Sequence, residues 1–216
     1  MKSFAKFISI IFHPIFMPVY MAFLVVELNP THFPLLFGKH YNIILGMLTM
    51  LMVGFPLISI AIMKGLGMVK SFDMAGTKER FVPMIAVGTF YLWAFVMYKP
   101  TSKMVFAQDP LLANMILGCV IGVFMAFFFN SFYKISFHSI AAGGLVALVM
   151  NIMPVSNYNL APLFIVSIVL AGLIASSRLI LKAHEPKEVY MGLLAGYFSM
   201  FFAYQVYGKL IEMIGL

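Results

Sequence analysis

Ser177, Arg178, His184 and Glu188 are the residues best suited to chemistry, in the stretch Ser-Arg-Leu-Ile-Leu-Lys-Ala-His-Glu-Pro-Lys-Glu-Val. They sit in one short connection between two long apolar runs. Ionisable side chains are expensive at membrane depth, so such a cluster at a span boundary points to function. The residue types suggest what function. A guanidinium gives forked hydrogen bonds to two oxygens of an oxyanion. An imidazole titrates near neutrality and can attack or carry a proton. A carboxylate four residues beyond the imidazole is placed to orient it. Glu188 also has a second reading, as the third-position capping carboxylate of a helix that opens at Pro186. Lys182 and Lys187 read as solvated loop charges.

The elements that must position these groups are membrane spans. The chain has 216 residues, of which 63% are hydrophobic and 10% charged, with a mean hydropathy of +1.02. A soluble domain is nearer half apolar and a quarter charged. The composition therefore defines an all-α, polytopic transmembrane helical bundle of six or seven spans, a single domain over 1–216. The formal charge of +7 does not signal nucleic acid. The basic residues lie in short loops, where orientation bias and anionic headgroups account for them. One cysteine, Cys119, precludes an intrachain disulfide.

Candidate spans are Phe7 to Val26, interrupted by Pro14 and Pro18, then Tyr41 to Met63, the short run Phe81 to Tyr98, and Pro110 to Tyr133. Three more follow: Ser139 to Met153, Leu160 to Ala175, and Val189 to Tyr207. Lys2 and Lys6 precede the first run, which reaches Val26 without a small-residue cleavage site and reads as retained. Gly118 with Gly122, Gly143 with Gly144, and Gly192 with Gly196 allow close helix contact. His13 beside Pro14 reads as interfacial or kink-associated, and His32 and His40 as loop residues without an acidic partner. No His, Cys or acidic spacing suggests a metal site.

The pattern Ser-Arg, five residues, His, three residues, acid resembles the third motif of the type 2 phosphatidic acid phosphatase superfamily, with Glu188 in place of the usual Asp. The second motif, Pro-Ser-Gly-His, is matched in part by Ile135-Ser136-Phe137-His138. The first motif, Lys, six residues, Arg-Pro, is matched least. Arg80 is followed by Pro83, position 73 is Asp rather than Lys, and Lys78 is the nearest substitute. The resemblance covers Arg80 to Gly192, within a motif-bearing core of about 64–208. Two apolar runs separate Arg80 from His138 and two more separate His138 from His184, so all three motifs can meet at one face.

The resemblance implies a metal-independent, cofactor-free phosphatase acting on a lipid phosphate or diphosphate through a phospho-histidine. His184 would be the nucleophile, Glu188 its orienting partner and His138 the general acid. Arg178, Arg80, Ser136 and Lys78 would bind the substrate phosphate. For Arg80 and Lys78 a plain loop-charge reading stands alongside, and for His138 a packing or capping one. The rival class is a non-catalytic lipid-binding or scaffold membrane protein that keeps the fold, favoured by Asp73, Phe137 and Glu188. Partners are the lipid phosphate and membrane lipids, with no nucleic acid, and the oligomeric state is left open.

With seven spans, Lys2, Lys6, Lys64, Lys70, Lys78, Arg80, Lys134, Arg178, Lys182 and Lys187 share the motif face, against Lys39, Lys99, Lys103 and Lys209 opposite. Discounting Arg80 and Arg178 as phosphate ligands takes the ten to eight, against four. The positive-inside rule then places the site on the cytoplasmic side, in a bacterial inner membrane. The family resemblance favours the other side.

Overall fold

The computed structural model describes residues 1–33, 39–70, 76–98 and 110–213. Asp73 and the loop from Lys99 to Asp109 lie outside them. Among the described residues the chain is helical, and it builds the expected transmembrane bundle. The elements are α1 (Lys2–Ile11), α2 (Met17–Glu27), α3 (Lys39–Thr49), α4 (Phe55–Gly65), α5 (Phe81–Tyr98), α6 (Pro110–Asn130), α7 (Phe137–Ile152), α8 (Ala161–Ile180) and α9 (Pro186–Met213).

Proline decides several boundaries. The run expected as one span from Phe7 to Val26 is two helices, α1 and α2, parted at residues 12–16 around Pro14. Proline removes a helical hydrogen bond and pushes the preceding residue out of helical geometry. Helices α3 and α4 instead run on as one rod through a π-helical turn, Met50–Gly54. Pro56 follows at once, and widening the helix there accommodates its missing N–H and its ring. The short third run gains a 3-10 turn, Lys78–Arg80, and with it reaches 21 residues, enough to cross.

Five segments are long and apolar enough to span: Asn42–Gly65, Lys78–Tyr98, Pro110–Asn130, Ala161–Ile180 and Pro186–Lys209. Helices α2 and α7 are apolar but shorter. Leu28 at the end of α2 accepts from Ser156, in the turn between α7 and α8. Tyr98 at the end of α5 donates to Ile44 near the start of α3. Those contacts define one end; the motif loops define the other.

Outward faces are apolar, as lipid requires. Tyr190, Leu194, Phe198, Phe202 and Val206 form an exposed stripe four residues apart along α9. Helix α7 lies at the centre and presents small residues to its neighbours. Glycines set the spacing. A Cβ on Gly143 would collide with the Leu193 backbone, one on Gly196 with the Ile140 carbonyl, and one on Gly192 would lie 2.8 Å from Ser136 O. Gly118 and Gly122 on α6 meet Met200 and Ser199 of α9. Helices α7 and α9 thus pack backbone to backbone, and α6 sets its glycines against α9 side chains, the means by which helices associate when no water drives them together. Asn151 adds a buried hydrogen bond across this contact, Nδ2 to Met200 O at 3.1 Å.

Candidate active site

Three connections meet at one end of the bundle. Ser136 N donates to Glu188 O at 3.3 Å, Lys134 Nζ to Ala183 O at 3.1 Å, and Arg80 Nη1 to Ile135 O at 3.0 Å. The segments before α5, between α6 and α7, and between α8 and α9 are therefore stitched together. Asn130 Nδ2 donates to Thr77 O at 2.9 Å and anchors the turn that carries Arg80.

The expected connection is shorter than the sequence suggested. Ser177 and Arg178 belong to the last turn of α8, and Glu188 to the first turn of α9. Of the four, only His184 lies in the loop. Helix α8 ends in two overlapping backbone bonds, Ala183 N to Arg178 O and Lys182 N to Leu179 O, with Lys182 in the left-handed region at φ 54°. This is the Schellman ending, usually made with glycine. It turns the chain so that His184 faces the α6–α7 connection.

His184 Nδ1 lies 2.9 Å from Glu188 Oε2 and 3.1 Å from Lys134 O. A backbone carbonyl only accepts, so Nδ1 carries the proton and Nε2 keeps the lone pair. Glu188 Oε2 also accepts from Glu185 N at 3.2 Å. The two readings of Glu188 hold together: it is the capping carboxylate of α9 and the partner of the imidazole. The pair is shielded, with side chains 4% and 15% exposed. Burial lowers the His184 pKa; the Glu188 hydrogen bond and charge raise it, and the charges of Arg80 and Arg178 lower it further, leaving it below the ordinary imidazole value. Burial first, then Arg80 and Arg178, also lowers the Lys134 pKa.

Arg80 is buried and lies 4.8 Å from the ring centroid of Phe137. Phe137, at the position expected to hold the glycine of the second motif, thus makes a cation–π contact with Arg80. Lys78, two residues earlier in the same turn, is exposed. Ser136 is fully buried and caps α7, its Oγ accepting from Ser139 N at 3.3 Å and Ser139 Oγ at 3.0 Å. His138 follows in the first turn of α7, within electrostatic reach of Arg178 and His184.

Helix α1 supplies groups the sequence did not point to. Ser9 is buried, and its Oγ accepts from Arg178 Nη1 at 3.1 Å and meets Ser177 Oγ at 3.1 Å. Its carbonyl accepts from His138 Nε2 at 3.0 Å. The ring of His13 lies edge-on to His138 with centroids 5.3 Å apart. Ser9 carried no signal, because serine is ordinary in a helix and its partners lie 129 to 169 residues away. His13 offered a weak one, a histidine beside a helix-breaking proline. Among the described residues no group of three or more His, Cys, Asp or Glu side chains comes together as a metal site.

Beside this cluster lies an apolar cavity of about 160 Å³. It is lined by Arg80 in the turn before α5 and by Met84, Val87 and Tyr91 on α5, so it extends about 16 Å into the bundle by helical rise. Gly118, Cys119 and Met200 line it on the facing helices.

Fold and site define an integral membrane protein whose spans gather arginines and a histidine–carboxylate pair at one end. Residues 84–212, well over half of the chain, match the profile of the PAP2 superfamily. The chain belongs to that superfamily, the type 2 phosphatidic acid phosphatases, which gives it a phosphatase-type fold. No curated protein and no solved structure matches it. Arg80 and α1 precede the matched segment.

Proposed function

We propose that the protein is a metal-independent phosphatase that hydrolyses a lipid phosphate or diphosphate through a phospho-histidine on His184. The observation that carries this reading is the placement of His184 Nδ1 between Glu188 Oε2 and Lys134 O, which leaves Nε2 as the nucleophilic atom. Nε2 attacks phosphorus, the N–P bond forms, and the bond to the leaving oxygen breaks. His138, entering this step as the imidazolium, gives that oxygen a proton and is left neutral. A water, deprotonated by His138, then cleaves the N–P bond and releases phosphate. Arg178, Arg80 and Ser136 stabilise charge on the equatorial oxygens, the main demand of phosphoryl transfer. Lys78 would serve at the rim. The apolar cavity that begins at Arg80 suits a hydrocarbon chain attached to that phosphate. By charge bias the site faces the cytoplasm, in a bacterial inner membrane.

One observation favours the non-catalytic reading, a lipid-binding or scaffold protein on the same fold. Phe137 covers a face of Arg80, and Arg80 Nη1 is spent on Ile135 O. A single assay separates the two: phosphate release from a panel of lipid phosphates in detergent with chelator present. The phosphatase releases phosphate under these conditions and is inhibited by vanadate more tightly than by phosphate, because five-coordinate vanadate resembles the transition state. No release from any member of the panel selects the scaffold. Loss in chelator with recovery on adding one divalent ion overturns the metal-independent mechanism.

A further inference from the structure

Three groups assigned above to the reacting phosphate, or neighbouring it in the Ser-Arg motif, converge on one residue of α1. Arg178 Nη1 donates to Ser9 Oγ, Ser177 Oγ lies 3.1 Å from the same atom, and His138 Nε2 donates to Ser9 O. The hydrogens can be followed. Ser177 Oγ donates to Ile174 O at 2.7 Å, so it accepts from the Ser9 hydroxyl, which in turn accepts from Arg178.

The end of α1 explains why Ser9 O is available. His13 N bonds to Ile10 O and Phe12 N to Ile8 O, so neither takes the Ser9 carbonyl. The last carbonyls of a helix lack internal partners and carry the negative end of its dipole, equivalent to about half an electronic charge. Pro14 ends the helix at this place. Two oxygens and a partial negative charge thus face a guanidinium and an imidazole N–H, where a phosphate would place its own oxygens.

We propose that α1 is a latch on the site: Ser9 occupies the phosphate position, and substrate must displace it. The proposal rests on the reading of this cluster as a phosphate site. A phosphate brings nearly two full charges against the half charge of the helix end, so it wins the exchange. Displacement also frees His138 Nε2–H from the Ser9 carbonyl to face the leaving oxygen. The hinge is the non-helical segment 12–16 between α1 and α2. The latch is held by modest means: Ala5, Ile8 and Ser9 are the buried residues of α1, while Phe4, Phe7 and Ile10 are exposed.

The test compares wild type with Ser9→Ala and Ser9→Thr in the full-length protein in detergent, with inorganic vanadate as the probe. Alanine favours helix, so the fold of α1 is kept. Ser9→Ala removes one competing acceptor and is expected to lower the Kd for vanadate by on the order of fivefold, the worth of one net hydrogen bond. It should lower KM for a lipid phosphate without lowering kcat. Ser9→Thr, which keeps the hydroxyl, and Phe7→Ala, which alters only the exposed face, should match wild type. Unchanged or weaker vanadate binding by Ser9→Ala overturns the latch, as does binding by neither protein. A fall in kcat at constant KM also overturns it and makes Ser9 a positioning residue. Failure of the phosphatase reading shows differently: wild type would release no phosphate from any lipid, while vanadate binding still decides the latch.

Discussion

His184 has its Nδ1 proton held by two acceptors and its charge opposed by burial and two arginines. Burial and the arginines keep it neutral, the form that attacks in the proposed mechanism, while the Glu188 hydrogen bond opposes them and fixes the tautomer. His184→Ala is expected to cut turnover by at least about 10³-fold while the protein stays folded, as loss of a covalent nucleophile does elsewhere. Phosphate release assayed beside a folding control checks it, and wild-type-like release removes His184 from the mechanism. The lowered pKa has a definite sign. The proposed mechanism needs the unprotonated ring, so activity should fall as pH drops through that pKa, and the acid limb of kcat/KM should lie below the ordinary imidazole value of about 6.5. Arg80→Gln removes a charge that lowers the pKa, so its acid limb should move to higher pH; a move to lower pH contradicts the electrostatics. The His184–Glu188 pair was legible in the sequence because its partners are four residues apart and share one turn. Ser9 and Lys134 were not, because only the folded chain brings them to the pair.

At the scale of elements, the left-handed Lys182 is a local cost with a local remedy. A side chain in this conformation crowds the following carbonyl, whereas glycine does not. Lys182→Gly should raise stability by up to about 1 kcal/mol, read as a higher midpoint of thermal unfolding in detergent; a lower midpoint shows that the lysine side chain contributes more than its backbone costs. Gly196→Ala should do the reverse. Its Cβ would fall on the Ile140 carbonyl, so α7 and α9 must part, at a cost of about 1–3 kcal/mol for overpacking. The same parting moves Ser136 away from Glu188, so activity should fall along with the unfolding midpoint. A variant that keeps both shows that the two backbones are not in contact there. The glycine pairs were readable as packing sites from spacing alone, but not which helix each would meet. The end of α8 was misread for a physical reason. The apolar run stops at Ala175, yet Ser177 and Arg178 bond to α1, so the helix continues to Ile180 among polar partners.

At the scale of the molecule, two pairs of crossings, α5 with α6 and α7 with α8, bring all three motif segments to one end. That parity was legible as a count of apolar runs. Among the described residues the shorter apolar helices α2 and α7 run beside five segments long enough to span, in keeping with six or seven crossings. The same geometry makes the membrane side of the site testable. Position 182 lies at the site end and position 158, in the turn between α7 and α8, at the other, and both are exposed. In a Cys119→Ala background, single cysteines replace Lys182 and Tyr158 in turn, and intact cells are treated with an impermeant maleimide. The excess of basic residues at the site end predicts that position 158 labels and position 182 labels only after lysis. Labelling at 182 but not at 158 in intact cells reverses the orientation and places the site outside the cytoplasm. The arginines and lysines around the site would then be held there by phosphate chemistry against the charge bias that otherwise sets how such a chain is inserted.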